Sequence, residues 1–195
     1  MIRLRHLPQS AFRRSRWKNG GGETIEIAIS PEKADLDTFD WRISMARVAA
    51  SGPFSIFSGV DRTLCVLEGE GIELDFQGQP RVRLDGQSPP YRFSGDVAVS
   101  SHVSGAGITD LNVMTRRGVA RHHVSRTDLD RGDHLLAASG ATLVILAADM
   151  PVMLRLGDEV AELRRGDVAV LSPGKDPLWS LTCEAPGRVF MIDLW

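Results

Sequence analysis

GDVAV occurs at Gly95–Val99 and again at Gly166–Val170. An identical run of five in a chain of 195 residues points to an internal repeat if the flanks agree. They do. TLCVLEGEGIELDFQG, Thr63 to Gly78, precedes the first copy, and TLVILAADMPVMLRLG, Thr142 to Gly157, precedes the second. Each opens with Thr-Leu, continues through β-branched and leucine residues, and reaches a glycine at the same distance. Between that glycine and GDVAV the first copy carries QPRVRLDGQSPPYRFS and the second only DEVAELRR. Length variation belongs in a loop. The economical reading is one β unit used twice, with an insert in the first copy.

Composition allows this. A chain of this length forms one large domain or two small ones, and 43% hydrophobic with 25% charged residues is ordinary for a globular protein. No stretch approaches a membrane span, and a net charge of −2 removes the basic footprint of a nucleic-acid binder. Cys65 and Cys183 lie in strand-like apolar runs with no CxxC spacing, which favours a reduced, cytoplasmic protein over a disulfide scaffold. The N-terminal MIRLRHLPQSAFRRSRWKNGGG is arginine-rich with no acid before Glu23, as in mitochondrial transit peptides. Pro8 interrupts any amphipathic helix there, and no apolar stretch follows.

Apolar stripes of helical period are almost absent, whereas short alternating runs bounded by Gly, Pro, Asp and Ser recur throughout. The chain therefore reads as all-β, with helical turns expected only near Glu32 to Phe39 and Thr127 to Gly132. A V-L-x-G-x-G hairpin, a turn-rich stretch and G-D-V-x-V, all repeated, resemble the cupin jelly roll, whose corners need glycines at φ > 0 or tight turns. VLEGEG at Val66 to Gly71 and RRGDVAVLSPG at Arg164 to Gly174 match those corners. The expected architecture is a bicupin of two cupin-like jelly-roll barrels: the first over residues 1–120, the second and shorter over 121–195. Met150, Met153 and Leu154 mark the second as packing.

Catalytic cupins usually hold a metal with an H-x-H pair, a following Glu and a later His, on alternate positions facing one lumen. Neither copy carries that set. His122 and His123 are adjacent and face opposite sides of a strand, and His102 stands alone. No metal and no cofactor are expected.

Polar residues take the metal's place. In WKNGGGETIEIAIS, Trp17, Lys18 and Asn19 set a stacking face, a cation and an amide before a glycine turn. The run is not a phosphate loop, because it lacks G-K-[ST] and enters a strand. Arg42 and Ser44 share a strand face in WRISMARV, Arg62 opens a strand in DRTLCV, and Asn112, Met114 and Arg116 share another face in DLNVMTRR. Buried polar groups of this kind are either paired or turned to a ligand. Pairing of the arginines with Asp61, Asp96 or Asp110 is the structural alternative.

WKNGGGETIEIAIS, FDWRISMARVAASGPFSIFSGVDRTL and FSGDVAVSSHVSGAGITDLNVMTRRG resemble the HutD/Ves family of bicupins, found beside histidine-utilisation operons in bacteria. The resemblance is dense over the first two thirds of the chain. It implies a cytoplasmic, metal-free bicupin that binds a small carboxylic acid of the histidine pathway, such as urocanate or formylglutamate, with a regulatory role in histidine catabolism. It also places Trp17, Lys18, Asn19, Arg42, Ser44, Arg62, Asn112 and Met114 at the mouth of the first barrel. No nucleic acid or membrane partner is expected, and a homodimer is compatible with the sequence. A second reading is a cofactor-free isomerase or hydrolase of a histidine-pathway acid, with Glu26 or His102 as general base. A third is a scaffold that binds another protein.

Overall fold

Ile72–Phe76 and Val152–Leu156 alternate buried with more exposed side chains at every step, the signature of strands with one face on a core. The computed structural model describes residues 3–17, 20–137, 141–172 and 178–195. Among them are nineteen strands and one short 3₁₀ turn, Gln9–Ala11. In chain order the first strands are β1 (Arg3–Leu7), β2 (Arg13–Arg16), β3 (Gly22–Ser30), β4 (Trp41–Val48), β5 (Gly52–Pro53) and β6 (Val60–Gly69). Next come β7 (Ile72–Phe76), β8 (Val82–Leu84), β9 (Tyr91–Ser94), β10 (Val99–Val103), β11 (Ile108–Arg116), β12 (His122–Leu129) and β13 (Gly132–Ala137). The last are β14 (Thr142–Ala147), β15 (Val152–Leu156), β16 (Glu159–Leu163), β17 (Val168–Ser172), β18 (Leu178–Cys183) and β19 (Gly187–Leu194). The expected helical turn near Thr127 is instead the end of β12, which pairs with β19 out to Leu129. Cross-strand pairing overrides the local turn preference of Asp and Gly. Residues 32–39 form turns without a helix.

Two compact units result, Arg13–Arg121 and a second made of Met1–Phe12 with His122–Trp195. Each holds a larger and a smaller antiparallel sheet, the jelly-roll arrangement of a cupin. The first unit has β2-β3-β4-β11-β6-β9 and β5-β10-β7-β8, and the second has β1-β17-β14-β19-β12 and β13-β18-β15-β16. The sequence division at 120 and 121 therefore differs from this partition at the N-terminus. β1 joins the second unit by pairing Arg3 to Leu7 with Ser172 to Val168. It covers an edge that β17 would otherwise leave open.

The strand orders of the units correspond, β4-β11-β6-β9 to β12-β19-β14-β17 and β5-β10-β7-β8 to β13-β18-β15-β16. This correspondence corrects the reading of the repeat. The Thr-Leu strands, β6 and β14, and the hairpin glycines, Gly78 (φ 77°) and Gly157 (φ 59°), are equivalent. The two GDVAV runs are not. The first lies between β9 and β10, whereas the second leads into β17, the counterpart of β9. The supposed insert thus holds β8, the counterpart of β16, and the further strand Tyr91–Ser94, hydrogen-bonded to β6. The glycines also differ in kind. Gly95 donates to Val60 at the start of β6, and a Cβ there would lie 2.7 Å from the Phe57 carbonyl oxygen. Gly166 donates to Ala147 at the end of β14 and needs φ +84°.

The second unit is filled. Leu143, Ile145, Leu154, Leu171, Trp179 and Leu181 belong to one continuous apolar cluster with Met150, although Met153 points outward and is exposed. The first unit has a smaller cluster, including Leu64, Val66, Ile72, Leu74 and Phe76. No helix among the described residues is long and apolar enough to cross a membrane.

Candidate functional site

The part of the first unit that the apolar cluster leaves unfilled is a cavity of about 880 Å³, within the range of small-molecule sites. Strand register builds its main wall. Arg42, Ser44 and Ala46 on β4 lie opposite Met114, Asn112 and Asp110 on β11. On the other side of β11, Arg62 and Leu64 of β6 face Met114 and Asn112. β3 brings Glu26 opposite Ser44 and Ile29 opposite Arg42, and a register shift between Glu26 and Ala28 turns Ile29 rather than Ala28 to the cavity.

Arg62 is 5% exposed and lies on a wall of aromatic rings. Its guanidinium carbon sits 5.2, 5.6 and 5.1 Å from the ring centres of Phe54, Phe57 and Phe93. Contacts of this type stabilise a cation by about 0.5 to 2 kcal/mol each. Nη1 donates to the Ser55 carbonyl at 3.2 Å, and Nε is buried with no hydrogen-bond partner among the described residues. Burial pushes its pKa down to about 10, with the Asp110 charge opposing and the Arg42 charge adding to the shift, so Arg62 stays cationic at neutral pH. The structural alternative raised from the sequence does not apply to it. Asp61 is engaged by Arg92 and Arg117, Asp96 by Arg117, and no ion pair joins Arg62 to Asp110.

Arg42 is paired. Its Nε donates to Glu26 Oε2 at 2.9 Å and its Nη1 to the Ser44 hydroxyl at 3.3 Å. Asp110 is 3% exposed and receives the Ala46 N–H, yet its Oδ1 has no partner among the described residues. Burial pushes its carboxyl up to about 7, against the Arg62 charge and the Ala46 hydrogen bond. Asn112 Oδ1 is likewise buried without a partner.

Trp17, Arg42, Ser44, Arg62, Asn112 and Met114 therefore line one cavity. Lys18 and Asn19 lie outside the described residues. Trp17 is fixed by its indole N–H, which donates to the Thr24 hydroxyl at 2.8 Å, and its ring packs over Gly22. Met114 is fully buried against Phe39 and Val60 and forms wall. Arg116 turns away to the carbonyls of Phe39 and Asp37. His102 is exposed on β10 and does not line the cavity. Asp110 and the phenylalanines were not read as site residues from the sequence. Asp110 could have been found by parity, since it sits two positions before Asn112 on the same strand face. The phenylalanine wall had no such signal, because it comes from a loop and from β9. Among the described residues no group of three or more His, Cys, Asp or Glu could hold a metal ion.

The HutD family model matches residues 9–191. A 21.2 kDa protein encoded in the 3′ region of hutC in Pseudomonas putida is 35% identical, covering 100% of this chain and 98% of that one. A conserved protein of unknown function from Pseudomonas aeruginosa PAO1 superposes with a TM-score of 0.89 at 31% identity, covering 98% of both chains. HutD from Pseudomonas fluorescens SBW25 superposes with a TM-score of 0.80 at 29% identity, also over 98% of both. The cupin fold alone is shared with YhhW from Escherichia coli, at a TM-score of 0.70 and 11% identity over 99% of this chain and 97% of that one.

Proposed function

The chain belongs to the HutD family, associated with histidine utilisation, and from that premise we propose that the Arg13–Arg121 unit is a receptor for a small carboxylic acid of the histidine pathway. Urocanate and formylglutamate are the leading ligands. The protein would act in the cytoplasm as a regulator or buffer of that metabolite, without a metal. The observation that carries this reading is Arg62. It is a buried cation in a cavity, and among the described residues its guanidinium donates to the Ser55 carbonyl while its Nε has no partner. A guanidinium offers a carboxylate two parallel donors and stays charged at working pH. The second unit has Ala141 at the corresponding position, and its described core is a continuous apolar cluster.

Native mass spectrometry of freshly purified protein tests the reading. A retained organic acid with no stoichiometric metal supports it. A tightly held metal ion, or failure of both acids to bind on addition, contradicts it.

A cofactor-free enzyme is the second reading, favoured by one observation. Asp110 lines the cavity with its carboxyl pushed up by burial to about 7, where a general acid or base is most effective. Glu26 suits that role less, being held by Arg42. Turnover of either acid by purified protein would decide for it.

A further inference from the structure

Three buried polar atoms of the first unit have no hydrogen-bond partner among the described residues: Arg62 Nε, Asp110 Oδ1 and Asn112 Oδ1. All three side chains line the same cavity. One is a donor and two are acceptors, and the acceptors stand two positions apart on one face of β11. Buried polar groups in native proteins are almost always satisfied, so a cluster of exceptions around a cavity marks where a ligand's polar atoms belong.

We propose that Asp110 and Asn112 read a nitrogen-bound hydrogen on the ligand, so that the site selects small acids carrying an imidazole, amide or amidine N–H over simple carboxylates. The proposal rests on the acid-binding reading above and specifies its substrate class. A buried guanidinium and a carboxyl lining one cavity would ordinarily close into an ion pair. Here each is held from its own side, Arg62 by the Ser55 carbonyl and three phenylalanine rings, Asp110 by the Ala46 N–H. A ligand that is anionic at one end and a donor at the other satisfies both. A simple carboxylate satisfies Arg62 but leaves the two acceptors unpaired.

Charge leads to the same conclusion. The other charged side chains lining the cavity are Arg13, Glu26, Lys33, Asp35 and Arg42. Arg42 is neutralised by Glu26, which leaves Arg62 and Asp110 as opposite charges on the inner wall. An incoming carboxylate is attracted by the first and repelled by the second. A donor group facing Asp110 removes that repulsion.

Calorimetric titration with a matched pair of acids tests the proposal. Urocanate and 3-(2-furyl)acrylate share a planar five-membered ring, a double bond and a carboxylate, but the furan has no N–H. At about pH 8.5 Asp110 is ionised and acts only as an acceptor. Wild-type protein should bind urocanate at least about tenfold more tightly, the scale of one hydrogen bond to a charged group. Asp110→Asn should reduce that ratio to roughly threefold or less. The amide keeps an oxygen for the Ala46 N–H and turns its NH₂ to the cavity, replacing an acceptor by a donor. A melting curve shows that the variant is folded, and because the readout is a ratio it does not depend on the active fraction. Equal binding of the two acids by the wild type, or an undiminished preference in the variant, overturns the proposal and leaves the acid-binding reading standing. If neither acid binds, both are overturned.

Discussion

Arg62 and Asp110 carry the local energetics of the site, and they respond oppositely to burial. Arg62 keeps its proton because even a depressed guanidinium pKa of about 10 lies well above neutrality. Asp110 does not keep its charge so easily, because its carboxyl is raised to about 7 from an ordinary value of 3.8. The sign of the linkage follows. Between those two values the folded state binds more protons than the unfolded one, so this group's contribution to stability is fully present below about pH 4 and is lost as pH rises through about 7. Asp110→Asn should accordingly be more stable than wild type at alkaline pH, by about 1 to 3 kcal/mol, the cost of a buried polar group left without a partner. The difference should shrink toward zero below about pH 4. Urea unfolding followed at both pH values measures it, and a variant destabilised at alkaline pH would show that Asp110 has a structural partner instead. The cation was legible in the sequence because the repeat has Ala141 where the first copy has Arg62. The sequence offers Asp110 as one of three partners for the arginines, since nothing in it shows that Asp110 and Arg62 fail to meet.

GDVAV shows how a true inference can rest on a misplaced detail. The duplication it suggested holds in the strand order, but the two runs occupy different connections, one strand apart. Gly-Asp recurs there because it makes tight turns in more than one way. Asp96 accepts from the Gly59 N–H, Ser94 and Arg117, which hold its carboxyl well below the usual range. Asp167 is held below that range despite its burial, by the N–H groups of Gln9 and Arg164 and the ring of His6. These different settings predict different consequences for the two glycines. Gly166→Ala forces a side chain into φ +84° and should lower stability by about 1 to 3 kcal/mol without altering acid binding. Gly95→Ala presses on the carbonyls of Phe57 and Val60. It should therefore disturb the turn that carries Phe57 beside Arg62 and weaken binding as well. Equal binding losses in the two variants, measured beside their melting curves, would argue against this separation. Strands were readable here because alternation and hairpin glycines are local signals. The extension of β12 to Leu129 and the addition of β1 to β17 were not, because each depends on pairing with a distant strand.

Two units of matching strand order differ in what fills them. Leucine, isoleucine and tryptophan close the interior of one, while arginine, asparagine and carboxyl groups keep the other open around a cavity. Part of that contrast was visible in the sequence, since Arg42 and Ser44, and Asn112 and Met114, share strand faces in the first copy. The enclosing loop residues Phe54 and Phe57 were not visible, because no periodicity marks a loop. The central claim is that a small acid binds at Arg62. Calorimetric titration of wild type and Arg62→Ala with urocanate, each beside a melting curve, tests it most directly. The variant should bind about ten-fold to more than a hundred-fold more weakly, equivalent to roughly 1.5 to 3 kcal/mol, while remaining folded, and Arg62→Lys should recover only part of the loss. An Arg62→Ala protein that binds urocanate as tightly as wild type would contradict the account.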